Sequence, residues 1–270
     1  MPVPFAQVSA ADRHDAFPPT PSGGAVLLLA GSSGRIERER ADLLAANGIR
    51  ARAVRWFGGA GQRAMPYEVP LELFIGELDA LRTEFDRVSI FGTSFGAEAA
   101  LLTATVAPVH AVVAASPSSV VWGGIQDGRW SSHWTFESQA LPWVPFDAEW
   151  TPSQDPPEYL GLYETSLHRN TARSDAATIP VERIAAPVLL TAGGDDRVWP
   201  SLEFASAIVS RRAAHGLPTE VLSSPEAGHR LLLPDEMVAS GGVSMQRGGD
   251  EESDRALGGR VWPRLLEALR

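Results

Sequence analysis

Hydrophobic and polar positions alternate along this chain in short blocks that switch regularly between strand-like and helix-like patterns. Short apolar runs bounded by glycines, such as residues 25–30, are typical of buried parallel strands. Strands are predicted at residues 25–30, 49–54, 87–91, 111–115, 187–192 and 219–222. Helices are predicted at residues 36–47, 71–83, from the turn after 91 to about 106, 201–214 and 252–269. This alternation predicts an α/β fold with a mostly parallel sheet and helices on both faces.

Two segments depart from this rhythm. Residues 1–24 are rich in Pro, Ala and polar groups, and they are predicted to form an N-terminal arm ahead of a single domain at 25–270. Residues 116–180 have no clean period, many prolines and five of the eight tryptophans: Trp122, Trp130, Trp134, Trp143 and Trp150. A structureless loop of that length is unusual, so this segment is predicted to be a partly ordered, Trp-rich cap insertion over one end of the sheet.

The strand at 87–91 runs into the sequence Gly92-Thr93-Ser94-Phe95-Gly96, and a helix-forming run follows directly. A sharp strand-to-helix turn exposes a serine Oγ beside backbone donors, and glycines permit the close approach of strand and helix. The five-residue pattern alone is weak evidence. Between a strand and a helix, it predicts that Ser94 is the nucleophile of an acyl-transfer enzyme.

A serine nucleophile needs a base and an acid that orients the base, and in such a fold both follow later strands in the order Ser, Asp or Glu, His. Asp195 and Asp196 follow the strand at 187–192, and His229 follows the strand at 219–222. We predict a triad of Ser94, Asp196 and His229. Asp196 fits the pattern Gly-x-x-Asp-x-x-apolar-Pro, and Asp195 remains the alternative acid.

The tetrahedral oxyanion of such a reaction needs two backbone donors. The amide of Phe95, directly after the nucleophile, is predicted to be one donor. The other is expected in the loop after the first core strand, from Ser33 or Gly34, and the residues do not decide between these two. The cap tryptophans have two readings, core packing or an apolar acyl groove, and Trp122 and Trp134 are the candidates for substrate contact.

The composition of the chain limits the kinds of molecule that it is expected to bind. The net charge of −10 argues against nucleic acid and anionic membranes, although every basic residue is Arg, which suits binding of phosphorylated groups. Cysteine is absent, which excludes thiolate catalysis, and no histidine pair has metal-ligand spacing, so no metal or other cofactor is expected. The chain shows neither a membrane-length apolar run nor a secretion signal, so a cytoplasmic enzyme with a small-molecule substrate is expected.

The same residues resemble the carboxyl-terminal catalytic domain of the acyl-CoA thioesterase and bile-acid-CoA:amino-acid N-acyltransferase family. The resemblance lies in residues 27–34, in 92–98 with their Gly-Ala-Glu ending, in 179–184, in 187–190, in 194–200 with their Asp-Asp-Arg-Val-Trp-Pro run, and in 228–229. It implies an α/β-hydrolase fold and an acyl thioester substrate of the acyl-CoA type. Members that conjugate acyl groups to amino acids carry cysteine at the nucleophile position. Serine at 94 therefore favours water as the acceptor.

Three functions compete. The leading one is a serine hydrolase that cleaves an acyl thioester, or a related acyl ester, through an acyl-enzyme on Ser94. The second is a carboxylesterase or dienelactone-hydrolase-like enzyme with a small substrate that lacks CoA. The third is a non-catalytic binding protein of the same fold, which is disfavoured because such proteins usually lose a triad member and all three candidates are present here.

Overall fold

The computed structural model of the chain describes residues 7–238 and 242–270, so residues 1–6 of the predicted arm lie outside the described residues. The strands are β1 (Arg13–Ala16), β2 (Gly24–Leu29), β3 (Arg50–Val54), β4 (Val69–Pro70), β5 (Arg87–Thr93), β6 (Val112–Ala115), β7 (Gly123–Gln126), β8 (Arg129–Ser132), β9 (Trp134–Phe136), β10 (Gln139–Ala140), β11 (Val188–Gly193) and β12 (Thr219–Ser224). The α-helices are α1 (Arg38–Ala46), α2 (Glu72–Arg82), α3 (Phe95–Val106), α4 (Leu160–Arg169), α5 (Thr171–Ala176), α6 (Ser201–Ala213) and α7 (Glu251–Leu269).

Seven strands form the central sheet in the order β1-β3-β2-β5-β6-β11-β12. All neighbouring pairs are parallel except β1 with β3, which is antiparallel. From β2 the chain adds β3 on one side, and from β5 it adds later strands on the other side, so the strand order changes direction between β2 and β5. In open α/β sheets, ligands bind at such a point, in the crevice beyond the carboxyl ends of the strands. The predicted fold class, a mostly parallel sheet with flanking helices, is confirmed.

The helices cover both faces of the sheet because each presents an apolar stripe to it. On one face α1 and α7 pack through residues that include Leu44, Leu257 and Leu265. On the other face α2, α3 and α6 pack through residues that include Phe74, Leu101 and Phe204. The strands between them, β2, β6 and β11 among others, are buried throughout, as continuous apolar runs predict.

Part of the predicted arm belongs to the central sheet. Residues Arg13–Ala16 form the edge strand β1, which the polar sequence Arg-His-Asp-Ala does not suggest. Its Asp15 carboxylate accepts hydrogen bonds from Arg50 and Arg52 of β3 at 2.6 and 2.7 Å, so charged side chains hold this edge. Ion pairs and inward-facing charges at an edge strand also oppose pairing with another chain.

The cap segment at 116–180 contains short strands and two helices. Strands β7 and β8 form a hairpin, and β9 joins β10 and β4 in a three-stranded sheet. Helices α4 and α5 complete the segment before the chain returns to β11. Within the described residues, no helix combines the length and the apolar character needed to cross a membrane.

Candidate active site

Ser94 occupies the turn between β5 and α3 in a backbone conformation that non-glycine residues rarely adopt, with φ 57° and ψ −123°. The turn is this sharp because glycines flank it. A Cβ at Gly92 would collide with the backbone of Gly96, and a Cβ at Gly96 would collide with the carbonyl oxygen of Leu29 in the neighbouring strand. The glycine spacing in the sequence is therefore a steric requirement of the turn.

His229 lies between Ser94 and Asp196. The Nε2 atom of His229 is 2.9 Å from Ser94 Oγ, and its Nδ1 atom is 2.7 Å from Asp196 Oδ2. All three residues are buried. Because Asp196 Oδ2 can only accept when ionised, the arrangement fits a neutral imidazole that donates from Nδ1 and accepts the serine hydroxyl at Nε2.

The two neighbouring aspartates face different ways. The Oδ1 atom of Asp196 accepts the amides of Val198 and Trp199 at 2.8 and 3.2 Å, and its Oδ2 atom accepts the hydroxyl of Ser201. Asp195 instead accepts the amide of Gly249 and contacts Arg197, and the Gly249 hydrogen bond, followed by Arg197, holds the pKa of its carboxyl below the usual value. The structure thus brings Asp196, and not Asp195, to the imidazole.

Backbone contacts fix the loop that carries His229. The hydroxyl of Ser116, at the end of β6, donates to the carbonyl oxygen of His229 at 2.8 Å. The amide of His229 donates to the carbonyl oxygen of Arg247 at 2.8 Å, and the amide of Gly228 donates to Asp254 at 2.8 Å. Sequence reasoning missed Ser116, whose signal is its place directly after a buried strand of the parallel sheet.

A buried ion pair supports the same loop from α1. Arg40 donates to both carboxylate oxygens of Glu236 at 2.6 and 2.8 Å, to the carbonyl oxygen of Leu231 at 2.9 Å, and to Thr93 Oγ1 at 3.1 Å. Despite burial, the ionised Arg40 holds the pKa of Glu236 below its usual value. This pair joins the residue before the nucleophile to the segment after His229, and the sequence offers no local signal for it.

The loop after β2 lies beside Ser94. A Cβ at Gly31 would come within 2.9 Å of the Ser94 Cβ, so glycine leaves room there for the nucleophile. Of the two residues predicted as oxyanion donors in this loop, Ser33 lines the cleft at Ser94, whereas the amide of Gly34 turns back to the carbonyl oxygen of Gly31 at 3.4 Å. Phe95 begins α3 directly after Ser94, as expected.

Ser94 and His229 open into a cleft of about 330 Å³. The loop after β2, the start of α1 and the segment after His229 form its walls, with both apolar and charged side chains. None of the described residues that line it comes from the cap segment at 116–180.

Trp122 and Trp134, predicted from the sequence to contact substrate, are completely buried and do not line this cleft. Both instead contact Glu98 in the first turn of α3. The Oε1 atom of Glu98 accepts the Trp122 amide at 3.0 Å and the Trp134 indole at 2.6 Å. The prediction was wrong because a tryptophan-rich segment looks the same in sequence whether its rings fill a core or line a groove. Core packing is their role.

A parallel sheet that carries a serine turn, an aspartate and a histidine on loops at the carboxyl ends of its strands defines an α/β-hydrolase. Solved structures agree on the fold. A candidate dienelactone hydrolase from Klebsiella pneumoniae subsp. pneumoniae is 18% identical, with a TM-score of 0.57 over 95% of this chain and 91% of that one. The monoacylglycerol lipase of Paleococcus ferrophilus is 16% identical, with a TM-score of 0.54 over 95% and 97%.

A puromycin-hydrolyzing peptidase of Mycobacterium tuberculosis is 17% identical, with a TM-score of 0.54 over 78% of this chain. This chain spans only 33% of the peptidase. No curated protein matches the chain in sequence.

Residues 78–253 match the family described as "BAAT / Acyl-CoA thioester hydrolase C terminal". The match covers roughly two thirds of the chain, from α2 to the start of α7, and includes Ser94, Asp196 and His229. The chain therefore belongs to the BAAT / acyl-CoA thioester hydrolase C-terminal family, and it is a hydrolase. The resemblance noted in the sequence is confirmed.

Proposed function

We propose that this protein is a serine hydrolase that cleaves an acyl thioester, or a related acyl ester, through an acyl-enzyme on Ser94. One observation carries the proposal, namely the continuous hydrogen-bonded chain from Ser94 Oγ through the imidazole of His229 to Asp196. A serine hydroxyl is a weak nucleophile until a base takes its proton, and this chain supplies the base and its orientation.

In the proposed reaction, Ser94 Oγ attacks the carbonyl carbon as its proton passes to Nε2 of His229. The tetrahedral oxyanion collapses, the bond to the leaving sulfur or oxygen breaks, and the leaving group takes the proton from His229. A water molecule then attacks the acyl-enzyme and gives a proton to His229. Collapse of the second intermediate releases the carboxylic acid and returns that proton to Ser94. Asp196 stays ionised and stabilises the imidazolium.

Backbone amides are the proposed oxyanion donors. The amide of Phe95 begins α3, where the first amides of a helix have no partner within the helix. The second donor is proposed to come from the loop after β2. Ser33 is the better of the two predicted candidates, because the Gly34 amide is directed at Gly31.

The leaving group separates the leading function from its alternative. Family membership favours a thioester, and the fold likeness to a candidate dienelactone hydrolase keeps a small ester in contention. In either case the substrate is a small molecule. A cytoplasmic location stays a prediction. The division into an arm at 1–24 and one domain at 25–270 also stays a prediction, although β1 of this arm pairs with β3 of the domain.

Activity of purified Ser94→Ala tests the mechanism. Hydrolysis of p-nitrophenyl esters and of acyl-CoA, the latter followed as free thiol, is expected to fall by about 10⁴-fold or more, because the nucleophile acts as a unit with its base. A fluorophosphonate probe should label the wild type and not this variant. Ser206→Ala is the matched control, since Ser206 is an exposed serine on α6.

The substrate panel then separates the functions. Ser94-dependent release of CoA supports the thioesterase, and ester cleavage without CoA release supports the alternative. Turnover that persists in folded Ser94→Ala would refute the mechanism. A wild type with neither turnover nor labelling would favour the non-catalytic binding protein.

A further inference from the structure

Arginine side chains are concentrated around the proposed nucleophile. Five of them line the same cleft as Ser94 and His229: Arg35, Arg38, Arg40, Arg230 and Arg247. The chain as a whole carries a net charge of −10. Three carboxylates, Glu37, Glu39 and Glu236, line the cleft as well, so the arginines are in excess there. An excess of cations in a cleft attracts anions, because a concave surface with low-dielectric walls focuses the field of its charges.

Three of these arginines have partners on the protein. Arg40 forms the buried ion pair with Glu236. Arg35 contacts Glu37 at 2.9 Å, and Arg38 contacts Nδ1 of His14 at 3.0 Å. These contacts account for three of the five guanidinium groups.

Arg230 and Arg247 differ from the other three. Within residues 7–238 and 242–270, neither has a carboxylate at ion-pair distance, and residues 1–6 and 239–241 contain no acidic side chain. Asp254 acts on Arg230 only from beyond ion-pair distance and already accepts the Gly228 amide. Arg247 donates to the carbonyl oxygens of Val243 at 2.8 Å and Met245 at 3.3 Å.

The two side chains line one cleft, so their positive charges face a shared space. Partial burial, followed by repulsion from Arg230 and Arg35, lowers the pKa of Arg247. Gathering like charges and withdrawing one of them from water costs free energy unless an anion offsets it. The arrangement is therefore complementary to a negatively charged group.

The backbone of both arginines adjoins that of His229, the proposed base. Arg230 follows His229 directly, so their Cα atoms are about 3.8 Å apart. The carbonyl oxygen of Arg247 accepts the amide of His229. Both guanidiniums line the cleft that holds Ser94 and His229, so an anion that they bind lies in the same cleft as the proposed nucleophile and base.

We infer that Arg230 and Arg247, with Arg35 beside them, form a subsite for a carboxylate that the substrate carries near its scissile carbonyl. The ligand class is a short ester or thioester with one free carboxylate, on the acyl chain or on the leaving group. Apolar neighbours in the cleft, Ile36, Leu231 and Leu232, suit the few methylene groups between the two functions. This inference rests on the proposed function of the same cleft.

Selectivity between matched esters tests the subsite. Mono-p-nitrophenyl glutarate carries a carboxylate on its acyl chain, and p-nitrophenyl butyrate is a neutral counterpart. The wild type is expected to have the higher kcat/KM for the glutarate. In Arg230→Gln and in Arg247→Gln, the glutarate-to-butyrate ratio should fall by roughly 10- to 100-fold, the usual effect of losing a hydrogen bond to a charged group. The control Arg264→Gln, on the exposed face of α7, should keep the wild-type ratio.

A second pair of esters locates the carboxylate. 3-Acetoxybenzoate carries the charge on the leaving group, and phenyl acetate lacks it. If the arginine variants lose selectivity only for the glutarate and butyrate pair, the carboxylate belongs to the acyl chain. If they lose it only for 3-acetoxybenzoate against phenyl acetate, the carboxylate belongs to the leaving group. Either result supports the subsite. The subsite is refuted if the ratio of kcat/KM for the charged ester to that for the neutral ester stays within twofold of wild type for both pairs. The variants must have wild-type circular dichroism and Tm in that case.

Equilibrium binding separates this inference from the proposed function. Glutarate is titrated calorimetrically into Ser94→Ala and into Ser94→Ala that also carries Arg230→Gln or Arg230→Lys. The Gln change should weaken binding by about 10-fold or more, and the Lys change by less, because it keeps the positive charge. Residual hydrolysis by Ser94→Ala would refute the serine mechanism and leave this measurement valid. Equal binding by all three proteins would refute the subsite.

Discussion

At the scale of single residues, Asp196 shows how the site is pre-organised. Two backbone amides and the hydroxyl of Ser201 hold its carboxylate before the imidazole adds a fourth contact. A carboxylate held in this way fixes which nitrogen of His229 carries the proton. Asp195, one residue earlier, is bound to Arg197 and to the backbone of Gly249 and has no contact with the imidazole.

The two aspartates should therefore respond differently to the same change. Asp196→Asn is expected to lower kcat by about 10³- to 10⁴-fold, because an amide that donates to Nδ1 selects the wrong tautomer of His229. Asp195→Asn should stay within about 10-fold of wild type. Steady-state kinetics on one p-nitrophenyl ester compares them, and a larger loss in Asp195→Asn would show that the acid was assigned wrongly.

At the scale of elements, helix α7 is fitted to the segment that follows His229. Gly258 of α7 packs so closely on this segment that a Cβ there would collide with the carbonyl oxygen of Leu232. The next residue, Gly259, is exposed, and a Cβ there would meet nothing within 4 Å. Two adjacent glycines in one helix thus have opposite surroundings.

Replacing each of these glycines with alanine should change stability in opposite directions. Gly258→Ala is expected to lower the free energy of unfolding by roughly 1–3 kcal/mol, because helix and loop must move apart. Gly259→Ala should raise it by up to about 1 kcal/mol, because alanine is the better helix former. Urea denaturation of the two variants measures both effects. Equal effects in the two variants would contradict the close packing of α7 on the loop.

At the scale of the whole molecule, Glu98 joins the nucleophile helix to the cap. Its carboxyl is fully buried, and burial raises its pKa to about 8 although two hydrogen bonds from Trp122 and Trp134 act in the opposite direction. His133 of the cap lies 3.9 Å away, and burial lowers its pKa to about 3. The carboxyl and the imidazole are therefore expected to be mostly uncharged at neutral pH.

Protonation of Glu98 should make stability depend on pH. The folded protein holds this proton up to about pH 8, whereas the unfolded chain releases it near pH 4.5, so stability falls as the pH rises between these values. Relative to Glu98→Gln, the wild type should lose at most about 1.4 kcal/mol of unfolding free energy per pH unit in that window. Urea denaturation of both proteins from pH 4 to 9 gives the difference between their free energies of unfolding at each pH. His133 is present in both proteins, so its own effect largely cancels in this difference. A constant difference would mean that the pKa of Glu98 is not raised.

The sequence predicts most of the fold because strands such as β2, β6 and β11 are buried on both faces and read as continuous apolar runs. The edge strand β1 escapes prediction because its partners are charged side chains distant in the chain. The order of Ser94, Asp196 and His229 is predictable because each follows its own strand. The convergence of Arg230 and Arg247 is not, since it arises only when the loop after β12 meets the segment before α7.

The attachment of the cap to Glu98 has a consequence for how substrate enters. Trp122 and Trp134 donate hydrogen bonds to a carboxyl on the same helix that begins at the nucleophile, so this part of the cap is anchored to that helix. None of the described residues that line the cleft at Ser94 belongs to the cap, so we expect substrate and product to pass without displacing it. If the cap stays in place during turnover, kcat should be insensitive to solvent viscosity, and a clear viscosity dependence would show that a segment moves in the rate-limiting step.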